Sequence, residues 1–132
     1  MTSILNQAEQ TMINKFVNKD KQERYLDFMS KDKTRKKFTD ELYHFKDFNW
    51  KMFREIPGNE NERDALFAKL SGKKSIKTCQ VISANSELDG KAFPIDEAIK
   101  NIVGQEATIL IFGDAEIVYY EAEPFDGRYI SK

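Results

Sequence analysis

Apolar residues recur along this chain with two different periods, and the change from one to the other falls near residue 75. Ile4, Leu5, Ala8, Met12, Ile13, Phe16 and Val17 are spaced by threes and fours. That spacing lines one side of a helix over residues 3–17, with Thr2 or Ser3 as its N-cap. Asn18 and Lys19 break the stripe, and Asp20 followed by Glu23 has the spacing of a capping box. A second helix starts there and carries Tyr25, Leu26, Phe28 and Met29. Ser30 and Asp32 are candidate caps for a third, running through Phe38, Leu42, Tyr43 and Phe45, with Phe38, Leu42 and Phe45 on one face. The stretch DFNWKMFREIP at 47–57 fits no single period. It reads as a connector that packs aromatic rings on the core and stops at Pro57-Gly58. Asn59 then caps a helix over 60–71, which points Ala65, Leu66, Phe67 and Leu70 inward until Ser71-Gly72 ends it.

From residue 75 the pattern shortens. Residues 75–83, SIKTCQVIS, are rich in β-branched side chains and read as a strand. The sequence SANSELDGKAF follows as a loop, and Pro94 fits the first position of a short helix that buries Ala98, Ile99, Ile102 and Val103 before Gly104 closes it. Residues 107–121, ATILIFGDAEIVYYE, form the clearest element, a β-hairpin turning on Gly113-Asp114. A two-residue loop sets Phe112 opposite Ala115, Leu110 opposite Ile117 and Thr108 opposite Tyr119, with Ile109, Val118, Ala107 and Tyr120 on the other side. Both faces are then mainly apolar, so the ribbon needs cover on both.

Helices first and strands last is the α+β arrangement. The expected fold is a single domain over 1–132, in which about four N-terminal helices pack on a small C-terminal mixed sheet of three to four strands. A right-handed crossover would lay residues 75–83 parallel to the first hairpin strand, and residues 128–130 add a short edge strand. The helix at 94–103 covers one face of the ribbon, and the helices before residue 71 cover the other.

Composition adds limits to this picture. The 132 residues are 40% hydrophobic and 33% charged, with ten Phe, five Tyr and one Trp, which suits one ordinary globular domain with a bulky core. No run approaches the roughly 18 apolar residues of a membrane span, and the first ten residues lack the pattern of a secretory signal. The single Cys79 forms no internal disulfide and sits in a strand-like run, so a reduced, buried thiol and a cytoplasmic location are expected. Net charge is −1, divided as +3 over residues 1–56 and −4 over 57–132. So even a balance argues against broad affinity for nucleic acid.

Three clusters offer chemistry. His44 is the only histidine, and Asp40 lies one helical turn before it, the pairing that a general acid or base needs. Asn85, Glu87, Asp89 and Asp96 have the alternating oxygens of a calcium loop around Gly90. The spacing resembles an EF-hand loop but departs from it in its first and last ligands and in the interrupting Pro94. Lys31, Lys33, Arg35, Lys36 and Lys37 are the one dense basic run, able to grip phosphates but interleaved with Asp27, Asp32, Asp40 and Glu41. No glycine elbow surrounds a serine, and no phosphate-cradling glycine loop is present. No cofactor is implied. The expectation is a small non-enzymatic domain that binds a protein or another copy of itself, with Tyr120 to Glu123 as an acidic, aromatic strand end for a partner to read. The alternatives are nucleic-acid association through the basic helix at 31–37 and a small hydrolase using His44.

Overall fold

The structure, a computed structural model, describes residues 6–123 and 127–132. Among them are five helices and six strands: α1 (Gln7–Phe16), α2 (Gln22–Met29), α3 (Asp32–Glu41), β1 (Phe53–Glu55), α4 (Glu62–Leu70), β2 (Thr78–Ser83), β3 (Ala92–Pro94), α5 (Ile95–Glu97), β4 (Thr108–Phe112), β5 (Ile117–Glu121) and β6 (Arg128–Ser131). The strands form one open antiparallel sheet in the order β1-β6-β5-β4-β2-β3. The α+β class is as expected, but the sheet is larger than three to four strands and is not mixed.

The two-sided ribbon is the centre of that sheet. All ten residues of β4 and β5 are buried except Glu121, which is half-buried. Ile109, Ile111, Val118 and Tyr120 join a core with α1, α2 and α3, whereas Leu110, Phe112, Ile117 and Tyr119 join a second core with α4 and α5. Burying both faces of a strand pair is what a near-continuous apolar sequence requires. The register differs from expectation: Phe112 pairs with Ile117 and Leu110 with Tyr119, so the connection has four residues rather than two. Gly113 and Ala115 both take positive φ, +64° and +58°. The backbone therefore spends two left-handed residues on the turn, and Ala115 folds into the first core instead of pairing. Since the shift is by two residues in pairing, the side chains of β4 and β5 keep the faces that alternation assigns them, and only Ala115 in the turn changes side.

Other boundaries move for local reasons. Asn6 caps α1 in a full capping box with Glu9, accepting from Glu9 N at 2.8 Å while the Glu9 carboxylate accepts from Asn6 N at 3.3 Å; the expected caps Thr2 and Ser3, with Ile4 and Leu5, lie outside the described residues. Asp20 and Glu23 form no capping box, because a 3₁₀ turn at Lys19–Lys21 leads into α2. Neither Ser30 nor Asp32 caps α3; Lys31 stands at that position without a side-chain bond, and Thr34 Oγ1 donates to Phe28 O at 2.8 Å. Asn61 rather than Asn59 caps α4, accepting from the backbone of Arg63 and Asp64. One turn along α4, Phe67 faces solvent at 52% exposure while Ala65 and Leu66 face the core.

The largest correction concerns β2. It pairs antiparallel with β4, not parallel. The loop read as SANSELDGKAF turns back at Asn85–Gly90, and Ala92–Pro94 pairs with β2 as β3. β3 and β4 thus run in the same direction on either side of β2, and the helix between them is the crossover. Pro94 ends β3 and caps α5, which continues as a π turn at Ala98–Ile102 with Ala98, Ile99 and Ile102 buried. β6 lies one place in from the sheet edge, because the connector at 47–57 supplies β1 outside it. Finally, α4 joins the second core and packs on the π turn after α5: Arg63 Nε and Nη2 donate to Ile99 O at 3.1 Å and Val103 O at 2.9 Å.

Candidate functional site

α3 and the connector after it determine where chemistry is exposed. The helix ends at Glu41 and tightens into a 3₁₀ turn at Leu42–His44, after which Phe45 turns extended. This breaks the helical relation between His44 and Asp40. Asp40 pairs with Lys36 at 3.5 Å, and His44 Nε2 lies 3.3 Å from Glu123 Oε2 with its side chain 55% exposed. The pair proposed for acid–base work is not assembled by the fold.

The basic run is divided by the same packing. Arg35 is buried, and its guanidinium holds two carboxylates at once. Nη1 and Nη2 donate to Glu9 at 3.1 and 2.7 Å, while Nε and Nη2 donate to Asp89 at 2.7 and 3.0 Å. Such paired forks are the strongest ion contacts a protein makes. They fasten α1, α3 and the β2–β3 turn together, and Asp89 Oδ1 also accepts from Ser83 N at 3.0 Å. Lys31, Lys33, Lys36 and Lys37 stay exposed, with Lys36 paired to Asp40 at 3.5 Å and Lys37 over the Phe28 ring at 5.8 Å. A phosphate track cannot use the guanidinium that the core has taken.

Asp89 is thereby removed from the calcium reading as well. Asn85 Oδ1 accepts from Glu87 N at 3.0 Å as an ordinary Asx turn, and Asp96 lies beyond β3 on α5. Among the described residues no three histidine, cysteine, aspartate or glutamate side chains are placed to share a metal ion. Cys79 is fully buried in β2, and burial pushes its thiol up to about 12.

What the fold does expose is a corner. The segment His44–Phe45–Lys46 forms a ridge between two clefts. One cleft, about 640 Å³, has Trp50, Tyr120, Ala122 and Tyr129 as its remaining lining. The other, about 410 Å³, is lined beyond the ridge by Arg24, Tyr25, Asp40, Glu41 and Asp47. The ridge is fastened from beneath: the Tyr120 hydroxyl donates to Leu42 O and accepts from Phe45 N at 3.0 Å. Tyr25 donates to the Asp47 carboxylate on the far side, and burial beside Asp47 and Glu41 pushes its phenol far above the ordinary range. Tyr25 is therefore a fixed donor, not a nucleophile. Asn18 N donates to Asp47 O at 2.8 Å and Asn49 N to Phe16 O at 2.7 Å, tying the connector to α1.

Trp50 is the exposed end of an aromatic series that starts in the core. Phe45 and Phe48 are 4.8 Å apart between ring centres, Phe48 and Tyr120 5.5 Å, Tyr120 and Tyr129 6.1 Å, and Tyr129 and Trp50 4.7 Å. Trp50 Nε1 donates to Lys46 O at 3.2 Å, which fixes the indole. It remains 38% exposed. These rings touch one another, so they make a floor for a ligand and leave no cage between them. Tyr120 serves the core at 1% exposure, and β5 lies inside the sheet, so the acidic strand end expected at Tyr120 to Glu123 is not an edge.

A second carboxylate site lies on the opposite face. Glu121 accepts from the Tyr119 hydroxyl at 2.6 Å and from Gly104 N at 3.2 Å, and burial raises its pKa above the ordinary carboxylate range. A raised carboxyl binds its proton more readily folded than unfolded. Its contribution is then greatest below the unfolded pKa and is lost as pH rises through the folded one. Glu121→Gln keeps the accepting oxygen without the charge. Urea midpoints across pH 4 to 8 should show the variant gaining on the parent as pH rises, whereas a parent that gains on the variant would refute the assignment.

Neither Trp50 nor Glu9 was marked by sequence reasoning as a site residue. Phe48, Met52 and Phe53 stand at helical spacing and Trp50 falls outside it, which is the signal in the sequence that its ring faces out. Comparison with protein-family models, with curated proteins and with solved structures finds no match to this chain.

Proposed function

We propose that this chain is a non-enzymatic protein-binding domain whose docking surface is the ridge His44–Phe45–Lys46 with the Trp50 cleft beside it. One observation carries the reading: an indole held by its own hydrogen bond stands exposed over a stack of rings anchored in the core. Binding hot spots are built that way, from a large ring already fixed before contact, because little conformational entropy is lost when the partner arrives. The titratable groups with the greatest catalytic potential are otherwise engaged. Arg35, Glu9 and Asp89 hold the fold together, and Cys79 is buried and protonated.

Self-association through a sheet edge has less support. Pro94 closes β3 as a template, since it has no N–H to offer. At the other edge, two copies of β1 paired about Glu55 would set that carboxylate against itself.

The test is selection of a random 12-residue peptide library displayed against the intact protein. Enriched peptides should shift the emission of Trp50, the single tryptophan of the chain, and lose at least about tenfold in affinity on Trp50→Ala, a change of ~1.4 kcal/mol. Failure to enrich any peptide, or peptides that bind Trp50→Ala equally well, would refute this surface.

A further inference from the structure

The edge of the sheet next to Trp50 has backbone groups to offer. Ile56 N donates to Arg128 O at 2.8 Å and Lys132 N to Met52 O at 2.9 Å, with Arg54 opposite Ile130 between them. Backbone groups alternate in direction along an antiparallel strand, so those of Met52, Arg54 and Ile56 face β6 and those of Phe53 and Glu55 face out. Trp50 O takes the Phe53 N–H. Phe53 O, Glu55 N and Glu55 O are left along the rim, and among the described residues nothing bonds to them. The next outward residue is Pro57, whose oxygen already accepts from Glu60 N and Arg128 Nη2, so the open stretch is short.

The two sides of this rim differ. Glu55 is exposed, and Arg54 gives its guanidinium to Glu60 at 2.9 Å, which leaves Glu55 without a cation among the described residues. On the same side as Glu55, the Trp50 ring lies 5.8 Å from Phe53. On the Arg54 side a cleft of about 340 Å³ extends to α4, where the small side chains of Ala65 and Ala68 leave room between Asp64 and Lys69. No residue of β6 lines that cleft, which sets it outside the sheet edge and not over the sheet.

Building on the protein-binding reading, we infer that the partner is an extended segment of another protein that joins the sheet as an antiparallel strand outside β1. One partner residue, opposite Glu55, donates to Glu55 O and accepts from Glu55 N, and the residue two further on donates to Phe53 O. The first is basic, because its side chain lies beside the unpaired carboxylate. The residue between them projects to the other face, where an aliphatic side chain enters the cleft over Ala65 and Ala68. The last lies opposite Phe53 on the Trp50 side and is aromatic or large and apolar. A second copy of β1 does not fit, since it would bring Glu55 against Glu55. A phosphate backbone does not fit either, having no N–H for Phe53 O and Glu55 O.

The probe is the end-blocked peptide Ser-Thr-Lys-Leu-Phe-Thr-Ser, read by Trp50 emission. Methylating the backbone nitrogen of its Lys should weaken binding by about tenfold, the cost of one hydrogen bond left unmade at an edge that the peptide covers. Methylating that of its Leu, which points away from β1, should leave affinity unchanged. Glu55→Pro removes an N–H that faces outward, so it should keep the urea midpoint and lose the peptide. Glu55→Lys keeps the backbone whole and should prefer the same peptide with Glu in place of Lys, which decides the matter should the proline variant not fold. Equal affinity of the two methylated peptides overturns strand addition and leaves the Trp50 surface intact. Silence of the peptide at millimolar concentration also overturns it, and the library selection then decides separately whether the surface binds peptides. A dimer of the parent chain that Glu55→Pro splits into monomers gives the edge to a second copy and overturns the inference too.

Discussion

Arg35→Met should cost about 3–5 kcal/mol of folding stability, the range for removing one partner from a buried ion cluster. The guanidinium makes four hydrogen bonds of 2.7 to 3.1 Å to Glu9 and Asp89, and Glu9 has no exposed surface. Methionine replaces the stem of arginine but leaves both carboxylates facing an apolar group. They must then ionise without a counter-charge or take up protons, and either course favours the unfolded chain. Arg35→Lys should recover only part of the loss, because a point charge cannot replace two planar forks. The triple change Glu9→Gln, Arg35→Met, Asp89→Asn should be less harmful than Arg35→Met alone, since it removes the stranded charges. Urea unfolding of the three variants measures this, and a loss below 1 kcal/mol for Arg35→Met would show that the cluster is solvated.

Phe48→Ala should cost a similar amount, about 3–5 kcal/mol, through the cavity it leaves. Phe48 is fully buried and meets Phe45, Phe53, Tyr120 and Trp50 at ring distances of 4.8 to 5.6 Å. Its loss removes the support beneath the ridge and should weaken any peptide bound at Trp50 as well. Trp50→Ala is the informative contrast. That side chain is the exposed end of the same series, so its removal should lower stability by less than half as much while removing binding. A Phe48→Ala variant as stable as the parent would place the centre of this core elsewhere.

The contrast between these two positions shows what the chain makes legible before it folds. Alternation around Gly113 identifies a ribbon greasy on both sides, and both cores form on it, because a face assignment depends only on whether a position is odd or even. The loop length escaped for the same reason. A four-residue connection with Ala115 at positive φ preserves the faces of both strands and so leaves no trace in their alternation. β3 escaped because three residues ending in proline carry too little alternation to stand out from a loop, yet its insertion reverses the direction of β2 relative to β4.

The ion cluster was readable and was missed. Glu9 lies three, four and seven residues before Met12, Ile13 and Phe16, and Arg35 lies three and seven before Phe38 and Leu42. Each is a charged residue inside an apolar stripe, which demands a buried partner of opposite sign. Reading Arg35 with the lysines beside it followed adjacency in sequence instead of position on the helix. The ridge was not readable, since it depends on Tyr120 and Tyr25 reaching Phe45, Leu42 and Asp47 from distant parts of the chain.

No helix among the described residues is long and apolar enough to cross a membrane, and the proposed docking surface is the exposed corner. That corner is held in place by the sheet beneath it. Amide hydrogen exchange of the intact protein tests that foundation most directly. The amides of β4 and β5 should be the slowest in the chain and should exchange only through global unfolding, with protection on both strands equal to the stability measured in urea. If they exchange as fast as the amides of β1 or β3, the ribbon is not enclosed between two cores, and the docking surface built on it has no rigid support.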